Sequence, residues 1–221
     1  MKFVMAYSCG KDSTLALHHM LAQGHQPLAL LTMVNESADR SFFHGADAKM
    51  LQAYSHALGI PLQPVRTAGQ RYHLAMEQAL REAAALGAEA ACFGDIDLEE
   101  NRAWCEARCA GAGLQAVFPL WHRDRTEHVR ELIRLGYRCL IKSVHRTVLP
   151  ESLLGTLLDQ RALAQMEACG ADLCGENGEY HTLVNDGPIF RRPLAFQTGG
   201  ILRFGAFSVI EVTAEQSASA T

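Results

Sequence analysis

The sequence predicts an α/β fold: a five-stranded, parallel, doubly wound sheet over residues 1–122, then a smaller α+β domain over residues 123–221. Three observations carry this. Nearly all-apolar runs such as Phe3-Val4-Met5-Ala6 and Leu28-Ala29-Leu30-Leu31 read as strands buried on both faces. Between such runs, apolar residues recur at helical spacing and stop at Gly24, Gly59 and Gly87, and glycine is favoured just beyond a helix. Strands that alternate with helices build a parallel sheet covered on both sides.

Residues 2–7 are the first strand. A helix opens at Asp12 or Ser13, buries Leu17, Met20 and Leu21, and stops at Gly24. Residues 28–34 are a second apolar strand. Residues 46–58 put Met50, Leu51, Tyr54 and Leu58 on one helical face. Residues 61–65 form a short strand, and Pro61 and Pro64, which cannot donate to a ladder, put it at a sheet edge. An Ala-rich helix (72–86), a strand (90–93), a helix (101–110) and a strand (114–118) complete the sheet. A charged link at 121–125 follows. Next come a helix at 126–135 with Val129, Leu132 and Ile133 inward, a half-buried strand at 137–144, a helix at 160–169 and a β-rich stretch at 201–212. The small, polar tail 214–221 is expected to be disordered.

Composition narrows the function. With 221 residues, 48% of them hydrophobic, the chain can hold one large core or two small ones. A net charge of −4 gives no electrostatic footprint for nucleic acid. No apolar run is long enough to span a bilayer, and the opening strand is unlike a signal peptide. Seven cysteines, an odd number with no Cys-x-x-Cys pair, suit reduced thiols in a cytoplasm. Cys105 and Cys109, four apart on a helix, read as packing residues.

The most informative stretch is Ser8-Cys9-Gly10-Lys11-Asp12-Ser13, directly after the first strand. A small polar turn that opens a helix aims backbone N–H groups and the positive end of the helix dipole at one point, which is how a phosphate is cradled. Lys11 adds a charge, and Ser8 and Ser13 add hydroxyls. Asp12 would repel a phosphate unless a cation stands between them or Asp12 caps the turn. The stretch lacks the Gly-x-x-x-x-Gly-Lys spacing of the common P-loop and the three glycines of a dinucleotide fingerprint. Cys9 fits such a turn if its backbone conformation is ordinary. A second cluster, Gly175-Glu176-Asn177-Gly178-Glu179-Tyr180-His181-Thr182, reads as a turn. Its two carboxylates can hold Mg²⁺, accept a proton or bind a cation, or can lie in solvent.

Residues 8–13 resemble the Ser-Gly-Gly-x-Asp-Ser pyrophosphate loop of the PP-loop ATP pyrophosphatases, with Cys9 replacing the first glycine. Residues 175–182, together with Asp186-Gly187-Pro188-Ile189-Phe190, Phe93-Gly94-Asp95-Ile96, Phe118-Pro119-Leu120-Trp121, Leu154-Gly155 and Leu158-Asp159, resemble the signature of the diphthine–ammonia ligase family of these enzymes. The likeness runs from residue 3 to about residue 193.

That resemblance implies a Rossmann-like PP-loop (HUP) nucleotide domain, a family-specific C-terminal domain and a groove between them. It implies an AMP-forming amide ligase: ATP adenylates a carboxylate, pyrophosphate leaves, and ammonia displaces AMP. The cofactors are ATP and Mg²⁺. The acceptor is diphthine on elongation factor 2. Carried over by position, Ser8, Cys9, Gly10, Lys11, Asp12 and Ser13 hold the phosphates, and Thr32 and Met33 meet the adenine. Lys11, Asp95, Glu176 and Glu179 are catalytic, with Asp95 also a Mg²⁺ ligand, although a helix cap or turn fits Asp95 equally well. His44, Asn177, Gly178, His181 and Thr182 face the acceptor. Arg102 is either a phosphate contact or an exposed helix arginine. Two alternatives stand beside this reading. One is the same chemistry on another carboxylate in a bacterium, which the Ala- and Leu-rich composition suits. The other is a nucleotide-binding regulator without turnover. Homodimerisation is left open.

Overall fold

The computed structural model describes residues 1–215 and divides the chain into two compact units, Met1–Asp124 and Arg125–Thr221. The first unit runs β1 (Lys2–Ala6), α1 (Lys11–Ala22), β2 (Gln26–Asn35), β3 (Arg40–Ser41), α2 (Ala48–Leu58), β4 (Leu62–Thr67), α3 (Tyr72–Ala85), β5 (Ala90–Cys92), α4 (Glu99–Ala112) and β6 (Gln115–Val117). Its five parallel strands lie in the order β4-β2-β1-β5-β6, as the alternation of apolar runs and helices predicted. The proline-bearing β4 is at an edge, paired only with β2.

The sheet has a core on each side. Val4, Leu31, Met33, Ala91 and Phe93 pack with Met76, Ala79, Leu80 and Ala83 of α3 and with Cys105 and Cys109 of α4. The intervening Phe3, Met5 and Leu30 are also buried and, by the two-residue period of a strand, point to the other face. This is why the strands read as continuous apolar runs. Cys105 and Cys109 are packing residues, and burial pushes both thiols up. α2 starts at Ala48, where the Asp47 carboxylate accepts from the Met50 N–H at 2.8 Å.

One short element had no sequence signal. β3 pairs antiparallel with Val34 and Asn35 of β2. The same β2 residues pair with β4 on their other edge, so β3 shares an edge of β2 with β1 and stands just past the carboxyl end of β1. The connection after β2 is thereby folded over the turn that follows β1.

The second unit contains α5 (Arg125–Arg134), β7 (Arg138–His145), α6 (Gln160–Ala168), β8 (Tyr180–Asp186), β9 (Phe196–Phe204) and β10 (Phe207–Ala214). Its four strands form an antiparallel sheet in the order β8-β7-β10-β9. Three expectations need correction. The strand near 137–144 is not half-buried: Cys139 to Val144 are buried throughout, because β7 is central and covered on both sides. The β-rich stretch is a hairpin that begins at Phe196, well before residue 201, and turns at Gly205. The polar cluster at 175–182 is not all turn, since Tyr180 opens β8. In the tail, Ala214 ends β10 and the Glu215 N–H donates to the Ala195 carbonyl at 2.9 Å. Residues 216–221, also expected to be disordered, lie outside the described residues.

Candidate active site

The phosphate turn is built from the end of β1. The Tyr7 N–H donates to the Leu31 carbonyl at 2.8 Å, and the Thr32 hydroxyl donates to the Tyr7 carbonyl at 2.7 Å. Thr32 thus clamps the strand end with its side chain. The backbone then reverses at Cys9, which has φ 71° and a fully buried side chain. The condition of an ordinary backbone conformation at position 9 is therefore not met. A left-handed residue other than glycine costs roughly 1–2 kcal/mol, and position 9 is one where glycine would sit without strain.

Gly10 caps α1 without a side-chain hydrogen bond. The first N–H groups of any helix lack intrahelical acceptors, so this end is suited to an anion. The hydroxyls shape the turn. Those of Ser13 and Thr14 donate to the Gly10 carbonyl at 3.2 and 2.8 Å, Ser8 and Ser13 Oγ lie 3.0 Å apart, and the Gly10 N–H donates to Ser8 Oγ at 3.3 Å. Lys11 is buried, and its Nζ lies 2.8 and 2.9 Å from the two Asp12 oxygens. A cation does stand beside Asp12.

Two neighbours press on this turn. A Cβ on Gly94 would fall 2.8 Å from Ser13 N and 2.9 Å from the Asp12 carbonyl carbon. Only glycine lets the end of β5 approach the start of α1 this closely. A Cβ on Gly10 would fall 2.7 Å from His44 Cε1 and 2.9 Å from His44 Nε2. Asp95, next to Gly94, has its carboxyl held above the usual range by burial and by the charge of Asp12, against a hydrogen bond from Asn101 that works the other way. Carboxylate oxygens are the donors a hard divalent cation takes, so Asp12 in the turn and Asp95 next to Gly94 fit Mg²⁺.

Beside the turn is a small open pocket lined by Tyr7, Ser8, Thr32, Met33, Phe43 and Tyr72 among others. Thr32 and Met33 fall in it, although the Met33 carbonyl already accepts from the Phe42 N–H at 3.1 Å. Phe43 and Tyr72, which the sequence reading missed, give it an aromatic wall, with ring centroids 6.5 Å apart and nearly perpendicular. Burial, then Cys105 and Asp95, push the Tyr72 hydroxyl up to about 12, so it is a donor at neutral pH. Arg102 lies 4.7 Å over the Trp121 ring and 5.4 Å over Phe118, and its Nε donates to Glu106 at 2.8 Å.

In the second unit, the turn 172–179 is wrapped around two carboxylates. Glu179 is 7% exposed. It accepts from the Asp172 N–H at 3.2 Å, the Asn177 N–H at 3.1 Å and Asn177 Nδ2 at 3.1 Å. Asp172 accepts from the Cys174 N–H at 2.9 Å, the Glu176 N–H at 3.3 Å and Arg125 Nη1 at 2.5 Å. Glu179 therefore holds the turn closed, while Glu176, His181 and Gly178 are half-buried and Asn177 is exposed. Thr182 is buried within β8.

Much of the remaining signature is scaffold. The Tyr137 ring packs where a Cβ on Gly187 would stand, and the Tyr180 ring does the same at Gly175, at 2.8 Å. Asp159 caps α6 by accepting from the Ala162 N–H at 2.8 Å.

Both units match models of one family. Residues 1–116 match the diphthamide synthase N-terminal domain, and residues 124–213 match the diphthamide synthase C-terminal domain. The chain belongs to the diphthamide synthase family. Similar curated relatives are named diphthine–ammonia ligase. One from Danio rerio is 28% identical, with 92% of this chain and 94% of that protein covered. One from Homo sapiens is 25% identical, with 91% and 85% covered. One from Schizosaccharomyces pombe is 24% identical and extends well beyond the match, which covers 87% of this chain and 35% of that protein. A solved structure described as a predicted subunit of tRNA methyltransferase from Methanocaldococcus jannaschii aligns over 87% of this chain and 99% of its own, at 15% identity and a TM-score of 0.46, too remote to bear on function. The expected class, a carbon–nitrogen ligase, is the class the relatives' names describe. Among the described residues no helix is long and apolar enough to cross a membrane.

Proposed function

We propose that this diphthamide synthase family member is an AMP-forming amide ligase, with ATP, ammonia and a carboxylate as substrates. One observation carries the reading: a helix start with no side-chain cap, Lys11 inside it, in a chain whose two units both match the family. The first-turn N–H groups and Lys11 oppose the charge that gathers on the departing pyrophosphate, which lowers the barrier to adenylation. Asp12 and Asp95 would hold Mg²⁺, which offsets triphosphate charge when bound. The Phe43–Tyr72 wall and the backbone of Thr32 and Met33 would take the adenine. Glu176, Asn177, Gly178, His181 and Thr182 would serve the acceptor and ammonium. Glu179 contributes by keeping that turn folded, and as a proton acceptor only if the turn opens. The relatives' names make diphthine the acceptor to try first, alongside other carboxylates.

The test is incubation with ATP, Mg²⁺, ammonium and diphthine-bearing elongation factor 2 or small carboxylic acids. AMP and pyrophosphate formed only with an acceptor support ligation, and Lys11→Ala should reduce turnover at least a hundredfold, the order expected for losing one charged transition-state contact. ATP bound without cleavage under every condition would sink the ligase reading.

A further inference from the structure

We propose that His44 is a pyrophosphate-binding residue of the ATP site, not an acceptor-binding one. This rests on the ligase reading above and assigns His44 a place within it. Its imidazole edge occupies the space beside Gly10, 2.7 and 2.9 Å from where a Cβ would stand, and Ser8 Oγ is 3.3 Å from the same point. Gly10 and Ser8 are the phosphate turn itself. The ring therefore borders the anion site directly.

The placement is built in. β3 carries the chain past the end of β1 along the same edge of β2. A tight reversal then fixes residues 41–46. The Ser41 N–H donates to the Ala46 carbonyl at 2.8 Å, the Ala46 N–H to Ser41 Oγ at 2.9 Å, the Gly45 N–H to the Ser41 carbonyl at 3.1 Å and Arg40 Nη1 to the Gly45 carbonyl at 3.1 Å. Phe42 packs on Tyr72 with centroids 5.2 Å apart, and Phe43 is 62% exposed at the pocket rim. Between them and Gly45, His44 is held over the turn.

An imidazole placed there can donate Nε2–H to a phosphate oxygen as the neutral tautomer, and does so more strongly as the cation. It reaches the leaving diphosphate from a segment outside the strand–turn–helix that holds the other donors. The same contact explains Gly10. Its φ of −88° suits any residue, so what forbids a side chain is the ring.

The test is calorimetric titration of the intact chain with Mg²⁺-ATP, inorganic pyrophosphate and AMP. His44→Ala should weaken ATP and pyrophosphate roughly ten- to a hundredfold, the worth of one charge-assisted hydrogen bond, and leave AMP unchanged. His44→Gln, which keeps a donor, should recover most of the loss. Gly10→Ala should weaken pyrophosphate in the wild-type background and do little more in His44→Ala, because the methyl displaces a ring already gone. Unchanged pyrophosphate binding in His44→Ala, an equal loss for AMP, no recovery in His44→Gln, or additive losses at Gly10 and His44 would each overturn the assignment alone. A wild-type chain that binds neither ATP nor pyrophosphate would overturn the ligase reading and this assignment together.

Discussion

Replacing Cys9 by glycine and by alanine gives a comparison whose sign is fixed by the backbone. At φ 71° an alanine keeps the left-handed strain of roughly 1–2 kcal/mol, and a glycine removes it. Glycine also has a more flexible unfolded chain, which costs about 0.5–1 kcal/mol against alanine. The difference leaves Cys9→Gly more stable than Cys9→Ala by up to about 1.5 kcal/mol. At an ordinary φ the order would reverse by a similar amount. Cys9→Ala itself should lose about 1 kcal/mol relative to wild type, because the thiol it removes is fully buried. Urea denaturation followed by tryptophan fluorescence is the assay. Both tryptophans, Trp104 and Trp121, lie in the first unit, so the signal reports on the fold around the turn. If Cys9→Gly proves less stable than Cys9→Ala, the left-handed reading of position 9 is wrong.

Gly94→Ala places a methyl against the backbone of Asp12 and Ser13. It should destabilise the first unit by about 1–3 kcal/mol and weaken ATP at least tenfold by moving the helix start, read by thermal shift and calorimetry. Glu179→Ala leaves the Asp172 and Asn177 donors unmet and should cost about 2–3 kcal/mol. ATP affinity should hold while amide formation falls, and a variant of wild-type stability would contradict the turn-holding role. Glu151 accepts from Arg203 Nε and Nη2 at 2.8 and 2.7 Å, and those bonds and the Ser208 hydroxyl lower its carboxyl to about 2. A lowered folded-state value adds stability that is complete above the ordinary 4.5 and is lost as pH falls from 4.5 towards 2. Glu151→Gln should flatten that part of an acid-unfolding curve, and high salt should shrink the difference.

The parallel sheet was legible because strands covered on both sides must be apolar at every position, and Gly24, Gly59 and Gly87 mark helix ends through their left-handed backbones. The turn that joins β1 to α1 was legible from residue types alone. What escaped was set at a distance. β3 is two residues long and has no pattern of its own; it exists because β2 outlasts β1. β8 begins inside a Gly- and Asn-rich stretch, and only its partner β7 makes Tyr180 and Thr182 strand residues. Phe43 and Tyr72 lie far apart in sequence and share a pocket only after β2 and α3 pack. The conformation of Cys9 was invisible because a cysteine normally argues against a left-handed backbone.

Gly94 also bears on the order in which the nascent chain acquires its site. It touches Ser13, 81 positions earlier, and β1 takes β5 as a neighbour, with Phe3 beside Ala90 and Met5 beside Cys92. The turn that carries Lys11 is translated first, yet it has no supporting wall until β5 is made. At typical elongation rates that interval is on the order of ten seconds. Through it, β1 and α1 must wait on the ribosome without β5 beside them, and slow translation between residues 14 and 90 would prolong that exposure for chaperones or proteases to exploit.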